Sequence, residues 1–438
     1  MLSVIDWRDQ ALTPEWLRLN VPRVPTEDSS VDGAVQELID DVVARGSEAL
    51  LDQAERFDRC RPESIRSVPE KSARALAELN PDLKTSISLA IERVRQASEA
   101  QVPPPQVTTL APGATVTQRW QPVERAGVYI PAGKAVYPSS VVMNVVAAQV
   151  AGVREIVLVS PPQADFEGDI HPTILATAQM LGVTEIYRIG GAGAIAALAY
   201  GVPDANLAPV STISGPGNIF VATAKRLVKG VVGIDSEAGP TEIVVIADGS
   251  VPAEFVASDL VSQAEHDEMA QAILISTDES YAHDVIESVR MQAATTRHRE
   301  RVEKSLSGEQ SAVIVVDSLA DAVMVSDALA PEHLEICTES PQQIANDIAH
   351  AGAIFLGPYT PVSAGDYLAG SNHVLPTGGQ ARFQAGLSAM TFLRPQQIVE
   401  YSQEALAAVA DDIVRFANAE DLPAHGEAIT SRFNEAEN

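Results

Sequence analysis

Between residues 116 and 236, short β-branched runs alternate with alanine-rich stretches of helical spacing, and this alternation confines the chain to an α/β architecture. The runs at 127–130, 155–160 and 185–189 read as strands, with helices starting at Ser139, His171 and Gly193 between and after them. Consecutive strands joined by helices must lie parallel, because each helix carries the chain back to the start of the next strand. A sheet of this kind, covered on both faces, binds nucleotides beyond the carboxyl ends of its strands. A second set follows at 242–247, 272–276, 312–316 and 353–356, so the simplest account is two stacked α/β units.

Helical sequence flanks both sets. Val35, Leu38, Ile39, Val42 and Val43 recur at helical spacing within 31–58, and 71–100 reads as a second helical stretch. Pro103, Pro104 and Pro105 end that pattern ahead of a strand-rich segment, and residues 404–419 return to helix after a glycine-rich, proline-containing stretch at 365–386. A length of 438 residues suggests about two to four domains. The divisions expected are an extension at 1–23, a first α/β domain from 24–128 plus 242–387, a second at 129–241, and a helical tail at 388–438.

Charge and cysteine content narrow the function. With 30 basic against 59 acidic residues the net charge is −29, which repels phosphate backbones and anionic lipid headgroups and makes nucleic acid and membranes poor partners. Cys60 and Cys337 are too few for a disulfide framework and form no CxxC pair, which fits a reducing cytoplasm. No segment reaches the ~18 apolar residues of a membrane span, and the amino terminus carries no export pattern, so a soluble, unexported protein is expected.

Several segments carry chemistry-bearing residues, each with an ordinary structural alternative. Gly191, Gly193 and Ala196 match the dinucleotide fingerprint GxGxxA between strand and helix, yet no acidic residue closes a strand about twenty positions later, and a tight βα turn is the other reading. Ser214-Gly-Pro-Gly-Asn218 precedes a helix whose first NH groups could receive an anion, or it is a simple Gly-Pro turn with Asn218 near the helix start. Gln263 and His266, three apart on a predicted helix, share a face and suit Zn²⁺ or Mn²⁺; a solvated face is the alternative. Asp366 follows a glycine in what reads as an unstructured connector, free to hold a cation or to cap the next element. His373 and His425 lie in loop-like surroundings. Glu332 and His333 are adjacent proton-transfer groups beside Pro331, which also marks a helix-to-strand boundary. Cys337 reads as a small buried residue within a strand rather than as a nucleophile.

In order along nearly the whole chain, these segments resemble the histidinol dehydrogenase family. The matching stretches are Gly127-Val-Tyr-Ile-Pro-Ala-Gly133, Pro138-Ser-Ser-Val-Val-Met-Asn144, Ser214-Gly-Pro-Gly-Asn218, Ala238-Gly-Pro-Thr-Glu242, Gln263-Ala-Glu-His266, Pro331-Glu-His333, Gly365-Asp-Tyr367, Asn372-His-Val-Leu-Pro-Thr377 and Pro423-Ala-His425. The resemblance implies incomplete Rossmann-like, aldehyde-dehydrogenase-like units in an intertwined homodimer. It implies that one Zn²⁺ is held by Gln263, His266, Asp366 and His425, the last donated by the partner subunit, and that substrate nitrogens complete its coordination. Glu332 and His333 resemble the catalytic pair, with Thr241, His373 and Glu420 around the substrate and Tyr129, Asn218 and Gly193 on the NAD side. Thr241 stands where serine is frequent and keeps the hydroxyl; Gly193 stands where many relatives carry glutamine. The activity implied is oxidation of L-histidinol through a bound aldehyde to L-histidine with two NAD, the last step of histidine biosynthesis. A related zinc and NAD enzyme acting on another small alcohol, a silent nucleotide-binding protein, and a metal-dependent hydrolase are the competing readings.

Overall fold

The structure, a computed structural model, describes residues 2–24, 31–132, 135–237 and 239–433. Gly133 and Ala238, the ends of two matching stretches, and the last residues of the tail, 434–438, lie outside the described residues. The chain forms two units, Met1–Gln101 with Val123–Phe392, and Val102–Pro122 with Leu393–Asn438.

The first unit contains two wholly parallel sheets. One has six strands in the order Ser3–Asp6, Ala312–Val315, Gln271–Ser276, Glu242–Ala247, His333–Cys337 and Ala353–Leu356. Every residue of Glu242–Ala247 and Gln271–Ser276 is buried, which is why these strands read as continuous apolar runs instead of alternating ones. Their side chains still divide by parity. Ile243, Val245 and Ala247 pack with Leu260, Val285 and Val313 on one face, and Val244 and Ile246 pack with Leu17, Val325 and Leu334 on the other. Residues 3–6 of the amino-terminal extension add the edge strand, Ser3 lying opposite Ala312.

The other sheet has five strands in the order Glu185–Arg188, Glu155–Ser160, Arg125–Tyr129, Thr212–Ser214 and Gly233–Ile234. Arg125, Glu155 and Glu185 each open their strands, and the Arg125 guanidinium bonds both carboxylates at 2.6 Å, tying three strand starts together. Val35, Ile39, Val42 and Leu50 from the amino-terminal helices pack with Ile195 and Leu198 of the helix Gly191–Tyr200.

Three expected helices are interrupted. The stretch 31–58 breaks at Gly46, whose φ of +61° only glycine adopts readily and where a Cβ would collide with the Asp204 carboxylate. It becomes Asp32–Arg45, Ser47–Gln53 and a wider turn, Ala54–Asp58. The stretch 71–100 is Pro69–Glu78 and Pro81–Glu99, because Pro81 removes an NH and Asn80 caps the new start through Asp82 and Leu83. Residues 404–419 divide into Gln403–Ala407 and Ala410–Ala419.

The second unit is an antiparallel sheet in the order Leu393–Tyr401, Ala114–Pro122, Gln106–Ala111, followed by three helices ending with Pro423–Thr430. No helix among the described residues is long and apolar enough to cross a membrane.

Ile246, fully buried on an interior strand, tests the packing of the larger sheet. Ile246→Ala should cost about 2–5 kcal/mol of stability and lower the urea midpoint of the first unit accordingly. A loss under about 1 kcal/mol would mean that this face is not close-packed.

Candidate active site

Glu242 opens one interior strand of the six-stranded sheet and His333 opens its neighbour, with Thr241 and Glu332 immediately before them. The parallel register sets His333 opposite Ile243, so the two acidic residues lie side by side at the amino ends of the strands. Backbone pairing pins this corner. Ala330, at a left-handed φ of 51°, turns the chain out of the helix Leu319–Leu329, and the carbonyls of Pro331 and Glu332 accept from Gly352 and Ala353 at 2.8 and 3.0 Å. A Cβ on Gly352 would fall 2.6 Å from the Glu332 carbonyl oxygen, so a side chain there would push the strands apart.

Glu332 is buried, and its Oε2 accepts the Thr241 hydroxyl at 2.5 Å and the Glu242 NH at 2.9 Å. Burial raises its pKa to about 8, against the lowering pull of those two bonds. Glu242, also buried, is pushed up to about 8 by burial first and then by the charge of Glu332. His333 Nδ1 lies 2.9 Å from the Glu242 carbonyl oxygen and 3.6 Å from Glu332 Oε2. A carbonyl can only accept, so Nδ1 carries the proton and Nε2 keeps its lone pair. Burial lowers the His333 pKa, with Asp366 and the bond to Glu242 opposing, so the ring is a neutral base.

Gln263, almost wholly buried, ends the helix Ala253–Ala264; its Nε2 donates to Thr241 Oγ1, which leaves the amide oxygen as the atom it offers a ligand. Contrary to the expectation from the sequence, His266 does not share that helix; it lies one residue past the helix cap Glu265, and its NH bonds the Gln263 carbonyl at 3.2 Å. The ring stays open to solvent, but the protein crowding around it lowers its pKa, with the like charge of His333 adding to the effect. Asp366 belongs to a short helix, Val362–Tyr367, rather than to an unstructured connector. Its pKa is pushed up to about 6 by burial, and it senses the charges of His333 and Glu332. His373 bonds the Asp366 carbonyl through Nδ1 at 2.9 Å and Ser140 Oγ through Nε2 at 3.2 Å. It is pushed down to about 4 by burial first, and feels both His333 and His266. The structure thus brings Thr241, Gln263, His266, Glu332, His333, Asp366 and His373 together at one place.

The residues expected on the cofactor side, Tyr129, Gly193 and Asn218, lie elsewhere in the first unit, at the carboxyl ends of the five-stranded sheet. Tyr129 closes its strand, and its hydroxyl accepts the Gly191 NH at 3.3 Å. Gly193 is buried, and a Cβ there would fall 2.2 Å from Gln53 Oε1, so the glutamine of the amino-terminal helix fills that volume. Asn218 caps the helix Ile219–Val228, its Oδ1 accepting from Phe220 and Val221 at 3.0 and 3.3 Å. Those two NH groups are therefore already satisfied. Glu420 and His425 lie in the second unit, Glu420 at the end of Ala410–Ala419 and His425 in Pro423–Thr430, and both are exposed. Among the described residues no set of three His, Cys, Asp or Glu side chains is grouped to hold a metal ion. Cys337 is buried within its strand, and burial raises its thiol pKa, which excludes a ready thiolate.

A family model described as histidinol dehydrogenase matches residues 21–433. The histidinol dehydrogenase of Leifsonia xyli is 54% identical over 434 residues, covering 99% of this chain and 100% of its own length. The chain belongs to the histidinol dehydrogenase family. That of Corynebacterium glutamicum is 52% identical, with 99% and 98% covered. The crystal structure of histidinol dehydrogenase from Elizabethkingia anophelis superposes with a TM-score of 0.92 at 32% identity, covering 99% of this chain and 98% of that one. The mixed α/β architecture with parallel sheets is therefore that of the family.

Sequence reasoning missed Ser140, Glu242 and Gln53. A charged residue opening an otherwise apolar strand was the available signal for Glu242. Nothing local marks Gln53, whose role depends on packing across the chain.

Thr241→Val removes the hydroxyl that favours the ionised form of Glu332 while keeping the shape of the side chain. Loss of a lowering bond must move the Glu332 pKa above about 8, and the loss should cost about 1–2 kcal/mol of stability. Infrared titration of the carboxyl band will check the direction; an unchanged or lower midpoint contradicts the assigned bond.

Proposed function

We propose that the chain oxidises L-histidinol to L-histidine through a bound aldehyde with two NAD, as the last step of histidine biosynthesis. The observation that carries this reading is the buried pair Glu332 and His333, with His333 Nε2 left as a base beside Gln263, His266 and Asp366. The family supplies the substrate, and the pair supplies the proton transfers. Absence of an available thiolate favours attack by water over capture by cysteine in the second oxidation.

In the first oxidation His333 Nε2 takes the hydroxyl proton as the carbinol hydride passes to NAD. In the second, ionised Glu332 assists the attack of water on the aldehyde, and the hydrate gives up a second hydride to the fresh NAD. The sum is one alcohol, two NAD and one water giving one carboxylate, two NADH and three protons. Glu332, with a pKa of about 8, is the group that must lose a proton before it can help, so the second step rises with pH through that range. The first needs only neutral His333, whose pKa is lowered, and so persists to lower pH.

The donors fit a zinc ion. Gln263 offers an amide oxygen, His266 a neutral ring, and Asp366 a carboxyl that accepts no hydrogen bond among the described residues. Bound there, zinc supplies positive charge that orients the amine and imidazole nitrogens of the substrate. His425 and Glu420 come to the site from a second copy of the chain, and His373 lines the substrate pocket. A homodimer is supported by the second unit, where Val107, Leu110, Ile398, Val399, Phe416 and Leu422 are all exposed. The outer strand Gln106–Ala111 is exposed along its whole length, an edge that a partner can cover. Tyr129, Asn218 and Gly193 mark the NAD side, and the acidic exterior and few cysteines fit a cytoplasmic enzyme.

The purified protein with L-histidinol and excess NAD should yield two NADH per histidine, lost on chelation and restored by Zn²⁺. One NADH per product, or full activity in chelator, rejects the reading. Other small alcohols in the same assay test the alternative substrate class.

Sharing of sites is tested by mixing two inactive variants, His333→Asn and His425→Asn. Half of the randomly reassorted dimers are mixed, and each mixed dimer holds one intact site, so about a quarter of the parental activity should return. No recovery after confirmed exchange argues for sites built within one chain.

A further inference from the structure

Lys225 and Asp235 form an ion pair that the reaction above does not use, and both side chains are almost completely buried. Burying two charges is costly unless each is paired and hydrogen-bonded, and here each is. Lys225 Nζ bonds Asp235 Oδ1 and donates to the Gly215 carbonyl at 3.1 Å. Asp235 Oδ2 accepts the Gly215 NH at 2.8 Å, and Oδ1 accepts the Ser236 NH at 2.7 Å. Both peptide groups of Gly215 are therefore held by one ion pair. Gly215 has a φ of +120°, and a Cβ there would fall 2.0 Å from the Tyr129 carbonyl oxygen, so the loop lies directly against the end of the neighbouring strand. Lys225 comes from the helix Ile219–Val228 and Asp235 follows the strand Gly233–Ile234, so two successive elements after the loop both return to it.

We propose that Lys225 and Asp235 are positioning residues for the cofactor, clamping the loop 214–218 so that Asn218 and Tyr129 keep a fixed spacing for NAD. The inference rests on the reading of Tyr129 and Asn218 as the NAD side. A structural strut alone would explain burial, but it would not require the pair to grip Gly215, the residue packed against the Tyr129 carbonyl. The clamp orders the loop before NAD arrives, so the ordering cost is met by folding rather than taken from binding.

Lys225→Met with Asp235→Asn removes both charges together and leaves no unpaired ion in the interior. The double variant should stay folded, with KM for NAD and the NADH dissociation constant from fluorescence titration raised about tenfold, while KM for histidinol changes less than about threefold. Asp235→Asn alone, which keeps an acceptor for Gly215, should move the same constants in the same direction. Unchanged NADH affinity in a folded double variant, or a loss confined to kcat, overturns the clamp. Failure of both variants to fold assigns the pair to stability and also overturns it. Hydrogen exchange on the unaltered protein separates the two readings: NAD should protect the peptide covering 214–221. If NAD binds without protecting it, the NAD-side reading fails, whereas protection with unchanged variant affinity rejects the clamp alone.

Discussion

The register between two parallel strands sets the whole candidate catalytic corner. Because His333 lies opposite Ile243, the carboxyls of Glu332 and Glu242 are forced into one dry region, and each is pushed up to about 8, by burial first. Two such neighbours cannot both ionise cheaply, so near neutral pH the corner retains protons that surface carboxylates would have lost. The same register puts the Glu242 carbonyl beside His333 Nδ1, which fixes the tautomer without any help from a side-chain carboxylate. A slip of one residue in the His333 strand would turn its side chains to the opposite face and break both this pairing and the core packing.

Much of this fold was legible because parallel strands buried on both faces must be continuous apolar runs, as 242–247 is; 155–160 and 353–356 are also observed where the pattern put them, although the edge strand 353–356 leaves Ile354 exposed. The helices were harder, since periodicity persists across a break. Val35 to Val43 and the residues after Gly46 keep the same spacing, and only the collision at Gly46 with Asp204, more than a hundred and fifty residues away in the chain, shows why the helix turns. Pro81 was a local signal that a longer apolar rhythm obscured.

The candidate site was legible through the ordered motifs rather than through any one of them. Spacing alone placed His266 on the helix of Gln263 and left Asp366 in a connector; the chain in fact leaves the first helix before His266 and forms another around Asp366. Convergence of Thr241, Gln263, Glu332 and His333 depends on strand order, because the helix Ala253–Ala264 returns its last turn to the amino ends where the strands begin. The lone charges inside apolar segments, Glu242 and Lys225, were visible as types but not as partners, since their partners, Glu332 and Asp235, are chosen by packing.

Gly193 shows how a motif can be real for a reason other than the one that names it. The glycine fingerprint is usually read as room for a pyrophosphate, but here the room at this position is taken by Gln53, whose Nε2 bonds the Leu38 carbonyl at 3.2 Å while its Oε1 lies over the glycine. Leu50 crowds the same place, and Val35, Ile39 and Val42 continue the apolar contact along the helix that begins at Gly191. The amino-terminal helices can approach the five-stranded sheet this closely only because position 193 has no side chain. A glutamine at 193 would need the volume that Gln53 occupies, so the two positions are alternatives in space, and a change at one forces a change at the other.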